Sequence, residues 1–164
     1  MSTHCVVICN GSRARFFTLE QAAHPAESGP NLLERSDLVN PEAMASGKDT
    51  WTETKSGRHT APGAGGAHGY DDHRDQHEDE FMRRFASEVS TEAVRLAQSS
   101  KAKCLVLAAS SRMLGFLRNT LDLPATARIE VKEITKDLIK FSPQDIHENL
   151  SDAGLLPARK RALA

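Results

Sequence analysis

Three histidines pose the first chemical question. His68, His73 and His77 lie in the run His68-Gly-Tyr-Asp-Asp-His73-Arg-Asp-Gln-His77-Glu-Asp-Glu80. On a helix, His73 and His77 are one turn apart on a common face, the spacing from which two imidazoles hold zinc or another transition metal. His68, Asp72 or His59 would complete the shell. A hydrolase or metal-dependent enzyme built on these histidines is one reading, and a divalent metal is the one cofactor it would need. No thiolate pair and no zinc-protease signature accompanies the cluster, however. Runs of acids and histidines more commonly form a solvated face that titrates freely.

The segment Gly63-Ala-Gly65-Gly66-Ala67 precedes that run. Its glycines allow backbone N–H groups to approach an anion at a helix start. No Lys-Ser/Thr pair follows, so it is not a nucleotide P-loop. The acids just beyond repel phosphate, and a hinge is the plainer reading. Basic candidates lie elsewhere. Arg13, Arg15, Arg112 and Arg118 fall near strand ends or on the helix after the fourth strand, and Arg159-Lys160-Arg161 makes a short basic tail. Ligands of open α/β sheets favour the carboxyl ends of strands, which adds Ser110 and Ser111 to the candidates. The tail suits phosphate. Metal-dependent nucleases need carboxylates at the ends of central strands. Here the first strand runs into Asn10 and the fourth into Ser110, which argues against that activity, and no nucleophile with its base is identifiable.

These residues need elements to position them. His4 to Cys9 is a short β-branched run closed by Asn10-Gly11, and Arg13 to Leu19 alternates as its hairpin partner. Pro25, Gly29 and Pro30 break the chain before a third strand over 32–39. Its weak alternation suits an edge, with Leu32, Glu34, Ser36 and Leu38 on one face. From about 75 to 99, Met82, Phe85, Val89, Ala93, Leu96 and Ala97 form one apolar helical stripe. The acids of 71–80 would then occupy its first turns, where the helix dipole favours them. Residues 103–109 are almost continuously apolar, the pattern of a strand covered on both faces. Ser110 or Ser111 caps a helix to about Thr120, 128–134 alternates as a fifth strand, and Ser142-Pro143 opens a last helix. The order β-β-β-α-β-α-β-α predicts an α/β, ribonuclease-H-like three-layer fold on a five-stranded mixed sheet.

Composition fits one domain over 1–156 followed by a basic tail, 157–164. The chain has 164 residues, 39% hydrophobic and 26% charged, with a net charge of −1, which excludes a uniformly basic nucleic-acid binder. Six of the ten glycines lie between Ser46 and Tyr70, so a long mobile loop is expected over 41–74. Cys5, Cys9 and Cys104 sit in apolar runs. On one strand Cys5 and Cys9 are about 13 Å apart, too far to bond, so buried reduced thiols are expected. No apolar stretch suits a membrane span and the start lacks a signal-peptide pattern, so a cytoplasmic protein without membrane contact is expected.

Several short motifs together resemble the bacterial host-attachment protein family: Asn10-Gly-Ser-Arg-Ala-Arg-Phe-Phe, Gly57-Arg58-His59, Phe81 with Phe85, Leu105-Val-Leu-Ala-Ala109, Leu114-Gly-Phe-Leu-Arg118 and Ile134-Thr-Lys-Asp-Leu138. The family commonly has Asp where this chain has Asn10. It is similar to the central domain of archaeo-eukaryotic release factors, which carries a Gly-Gly-Gln loop ahead of a long helix. The comparable residues here are Gly65-Gly66-Ala67, without the Gln, so peptidyl-tRNA hydrolysis is not implied. The resemblance adds Asn10, Arg58, His59, Gly65 and Gly66 to the binding candidates. A non-catalytic binding module contacting ribosome or RNA is preferred to the histidine-based enzyme, because the enzyme needs a nucleophile and base that the sequence does not identify. A regulator of surface or host-cell attachment acting through a protein partner is the third reading.

Overall fold

The computed structural model describes residues 3–41 and 67–161, with side chains in the second stretch described from Gln76 onward. Its strands are β1 (His4–Cys9), β2 (Arg13–Glu20), β3 (Asn31–Val39), β4 (Cys104–Ala109) and β5 (Glu130–Thr135). The helices are α1 (Ala67–Ser99), α2 (Ser111–Thr120) and α3 (Pro143–Asp152), with a 3-10 turn at Ala125–Ala127. The strands form one open mixed sheet in the order β3-β2-β1-β4-β5. β1, β2 and β3 pair antiparallel in succession, whereas β4 runs parallel to both β1 and β5.

Helices cover both faces, which explains why β4 and, after His4, β1 lack polar positions. Val7, Phe16, Leu105 and Leu107 pack under Phe85, Val89 and Ala93 of α1 and Met113 and Leu117 of α2. On the opposite face, Val6, Ile8, Phe17 and Val106 pack under Ile146 and Leu150 of α3. All six residues of β4 are buried. Burial of each large aliphatic side chain stabilises by about 1.5–3 kcal/mol, so these two layers hold the sheet without covalent ties. The three thiols are buried and free.

The structure differs from the sequence expectation at the start of α1 and inside β3, and the fifth strand begins at Glu130 rather than 128 because Arg128 adopts a left-handed φ of 51°. α1 begins at Ala67, so 67–74 is helical rather than part of the loop, and the first turn carries no acid; Asp71 and Asp72 enter only on the second. The rest of the expected loop, 42–66, lies outside the described residues. In β3, Phe17 pairs with Glu34 but Phe16 with Ser36, so Arg35 is an extra, bulged residue. A bulge moves every later side chain to the other face. Leu32 therefore packs in the α3-side core and Leu38 against the α1-side core, not on one face as strict alternation predicts.

Candidate functional site

The parallel pairing of β1 with β4 brings their carboxyl ends together, and with them Asn10, Ser110, Ser111 and Arg112. Asn10 is fixed by local chemistry: its side-chain oxygen accepts from the N–H of Ser12 (2.9 Å), the N–H of Arg13 (2.7 Å) and the hydroxyl of Ser12 (3.0 Å). Buried Asn40 closes the turn from the other side, its amide donating to the Gly11 carbonyl (3.1 Å). Ser110 is the N-cap of α2, its hydroxyl accepting from the Met113 N–H (3.2 Å). That bond satisfies an otherwise orphaned donor of the first turn. Ser111 is exposed at the first helical position.

The four arginines singled out in the sequence are all engaged by protein groups. Arg112 is ion-paired with Asp79 of α1, which ties the start of α2 to the long helix. Arg13 pairs with Asp37 across β2 and β3 (3.0 Å), and Arg118 with Glu133 of β5 (2.7 Å). Arg15 is buried on the α3 side of the sheet, the face that holds Phe17. Its guanidinium grips Glu34 with two nitrogens (3.1 and 2.7 Å), donates to the carbonyls of Ile139 (3.0 Å) and Phe141 (2.7 Å), and lies over the Phe17 ring. Such pairing neutralises the positive field that would draw an anion to the strand ends.

Of the three histidines, only His77 has a described side chain. It is exposed and its ring leans on Phe81, with centroids 5.8 Å apart. His68 and His73 lie on the first turns of α1, and Arg58, His59, Gly65 and Gly66 lie outside the described residues. Among the described residues no group of three His, Cys, Asp or Glu side chains is placed to hold a metal ion. No helix among them is long and apolar enough to cross a membrane.

A second basic region emerges where the sequence suggested only a tail. After α3 the chain turns at Gly154 (φ 77°) and buries Leu156. Buried His147 donates to the Pro157 carbonyl (2.7 Å). Lys160 then pairs with Gly29 through two backbone hydrogen bonds (3.0 and 2.8 Å), and Arg159 donates to the Asn31 side chain (2.8 Å). A depression of about 590 Å³ between the β2–β3 connection and this segment is lined by Gln21, His24, Glu27, Lys160 and Arg161. Neither Lys160 nor Arg161 forms an ion pair among the described residues. His24 joins this region unannounced by the sequence, because it lies far along the chain from the basic triplet and no motif links them.

One comparison decides the kinship. A sequence model of the family described as "protein required for attachment to host cells" matches residues 5–150. The chain belongs to this host-attachment family. The match takes in all five strands and most of α3, so the turn at Asn10 and the α2 start are parts of the host-attachment domain. The docked segment at Arg159–Arg161 lies beyond the matched residues. No curated protein matches this host-attachment chain significantly.

Proposed function

We infer that this host-attachment family protein is a non-catalytic cytoplasmic binding module that contacts RNA, ribosomal RNA included, through its docked basic segment. The observation that carries the reading is a contrast in charge. Arg13, Arg15, Arg112 and Arg118 each face a carboxylate, whereas Lys160 and Arg161 flank a depression beside His24 with no ion-pair partner among the described residues. Cations beside a backbone-paired Lys160, and in no ion pair themselves among the described residues, suit phosphate oxygens, which dominate protein affinity for nucleic acids. The sheet order supports reading the domain as ribonuclease-H-like and as a relative of the central release-factor domain, since both share an antiparallel meander extended by parallel strands. The strand ends offer no nucleophile with a base. Ser110 is occupied as a helix cap.

Ribosome co-sedimentation at low and high salt tests the reading. The protein is expected to pellet with ribosomes at low salt and to be released as salt rises, because each phosphate contact releases counterions. The triple substitution Arg159→Ala, Lys160→Ala, Arg161→Ala should abolish pelleting. Failure to co-sediment at low salt overturns the proposal. A hydrolytic activity lost on His73→Ala would favour the enzyme instead.

A further inference from the structure

The two edges of the sheet are finished differently. β3 carries the Arg35 bulge and ion-paired Glu34, Arg35 and Asp37, and its first residue Asn31 is held by Arg159 of the docked segment. Both strands carry charges, but the bulge and the covering segment, devices by which edges avoid pairing with another chain, belong to β3. β5 shows no bulge: Glu130–Thr135 pairs with β4 in unbroken register, and among the described residues nothing pairs with its outer side. The Glu130 N–H donates to the Lys103 carbonyl (2.9 Å). Backbone groups alternate along a strand, so Glu130, Lys132 and Ile134 direct theirs to β4, and Val131 and Glu133 direct theirs outward. Val131 is also 39% exposed, one of the few large apolar side chains so placed among the described residues.

We propose that β5 pairs antiparallel with β5 of a second copy of this chain, about a two-fold axis at Val131, joining the two sheets into one. Symmetry and charge select this register. A two-fold axis between neighbouring antiparallel strands stands perpendicular to the sheet and keeps each residue on its own face, so opposing residues must share parity. Centring the axis on Glu130, Lys132 or Glu133 sets a charge against itself. Centring it on Ile134 opposes Lys132 to Lys136, and on Thr135 it opposes Glu133 to Asp137. Centring it on Val131 sets valine against valine and Glu130 against Lys132 twice over. Opposite charges directly across a ladder stabilise pairing and like charges oppose it. Glu130 and Lys132 are in no other ion pair among the described residues, whereas Glu133 is already held by Arg118. Arg128, with φ 51°, ends the extended stretch before Ile129.

Sedimentation of the full chain over a wide concentration range tests the proposal. The 17.9 kDa monomer should give way to a species of twice that mass. Lys132→Glu alone and Glu130→Lys alone should each leave monomer, and the double exchange should restore the dimer, since it reverses both pairs. Circular dichroism confirms that each variant is folded. In a hydrogen-bonded antiparallel pair the two central Cα atoms are about 5.5 Å apart, within disulfide range, so Val131→Cys should yield a covalent dimer on oxidation. A wild-type monomer at every concentration overturns the proposal, and so does a dimer indifferent to Lys132→Glu or not recovered by the double exchange.

Discussion

Arg15 and Glu34 form a two-point ion pair diagonally across β2 and β3, Arg15 lying opposite Asp37 and Glu34 opposite Phe17 on either side of the bulge at Arg35. The pair does more than join two strands. The remaining Arg15 donors hold the carbonyls of Ile139 and Phe141, which fixes the segment entering α3 against the sheet. Arg15→Ala strands a partly buried carboxylate and two carbonyls. Breaking a fully buried pair costs about 3–5 kcal/mol; Glu34 keeps some contact with water, so a loss of about 2–3 kcal/mol is expected. Arg15→Lys should recover less than half of it, because an ammonium lacks the planar fork. Urea denaturation measures both.

The turn at Asn10 depends on an acceptor oxygen rather than on an amide. Asn10→Asp keeps every bond that the side chain accepts and should leave stability unchanged or slightly raised at neutral pH, since hydrogen bonds to a charged acceptor are stronger. Asn10→Ala should lower it by about 1–2 kcal/mol. Thermal unfolding of the two variants distinguishes a structural turn from a site requiring this residue's amide.

Neighbouring serines at the start of α2 should behave differently. Ser110→Ala removes the cap and is expected to cost about 1 kcal/mol, while Ser111→Ala, at an exposed first position, should be nearly neutral. Chemical denaturation checks the contrast.

The thiols give the protein an alkaline limit. Burial pushes the Cys9 thiol up to about 12, and burial also raises Cys5 and Cys104. A free thiol in the unfolded chain ionises near pH 8.5. Between that pH and the raised folded value the native state binds more protons than the unfolded one, so stability falls as pH rises. For Cys9 the slope should approach about 1.4 kcal/mol per pH unit. Cys9→Ala should flatten the dependence above about pH 8.5, measured by urea titration at several alkaline pH values. The native thiols should resist alkylation until the chain unfolds.

The sheet was legible in the sequence because β1 and β4 are buried on both faces and read as unbroken apolar runs. The meander was legible because Asn10-Gly11 marks its first turn. Two features escaped. The bulge at Arg35 leaves no signature, since Glu34, Arg35 and Ser36 are all polar and alternation cannot count them. The start of α1 is hidden in the sequence, because Gly69 and the scarcity of apolar residues before Met82 mask a helix that continues back to Ala67. Of the candidate residues, Asn10 and Ser110 follow directly on β1 and β4, and the parallel pairing of those strands puts them at one end of the sheet. Spacing carried no information on charge pairing, which set Arg112 against Asp79 and Arg118 against Glu133 from distant parts of the chain.

β1 pairs with β4, and His4 lies opposite Cys104. During synthesis the first strand therefore leaves the ribosome with one neighbour, β2, supplied within seconds, and the other about a hundred residues away. At about 5–20 residues per second, that flank stays open for about 5–20 s, with Val6, Val7 and Ile8 uncovered. Nascent chains of this protein should engage holdase chaperones during that interval, and a circularly permuted chain in which β4, α2, β5 and α3 are made before β1 should escape them.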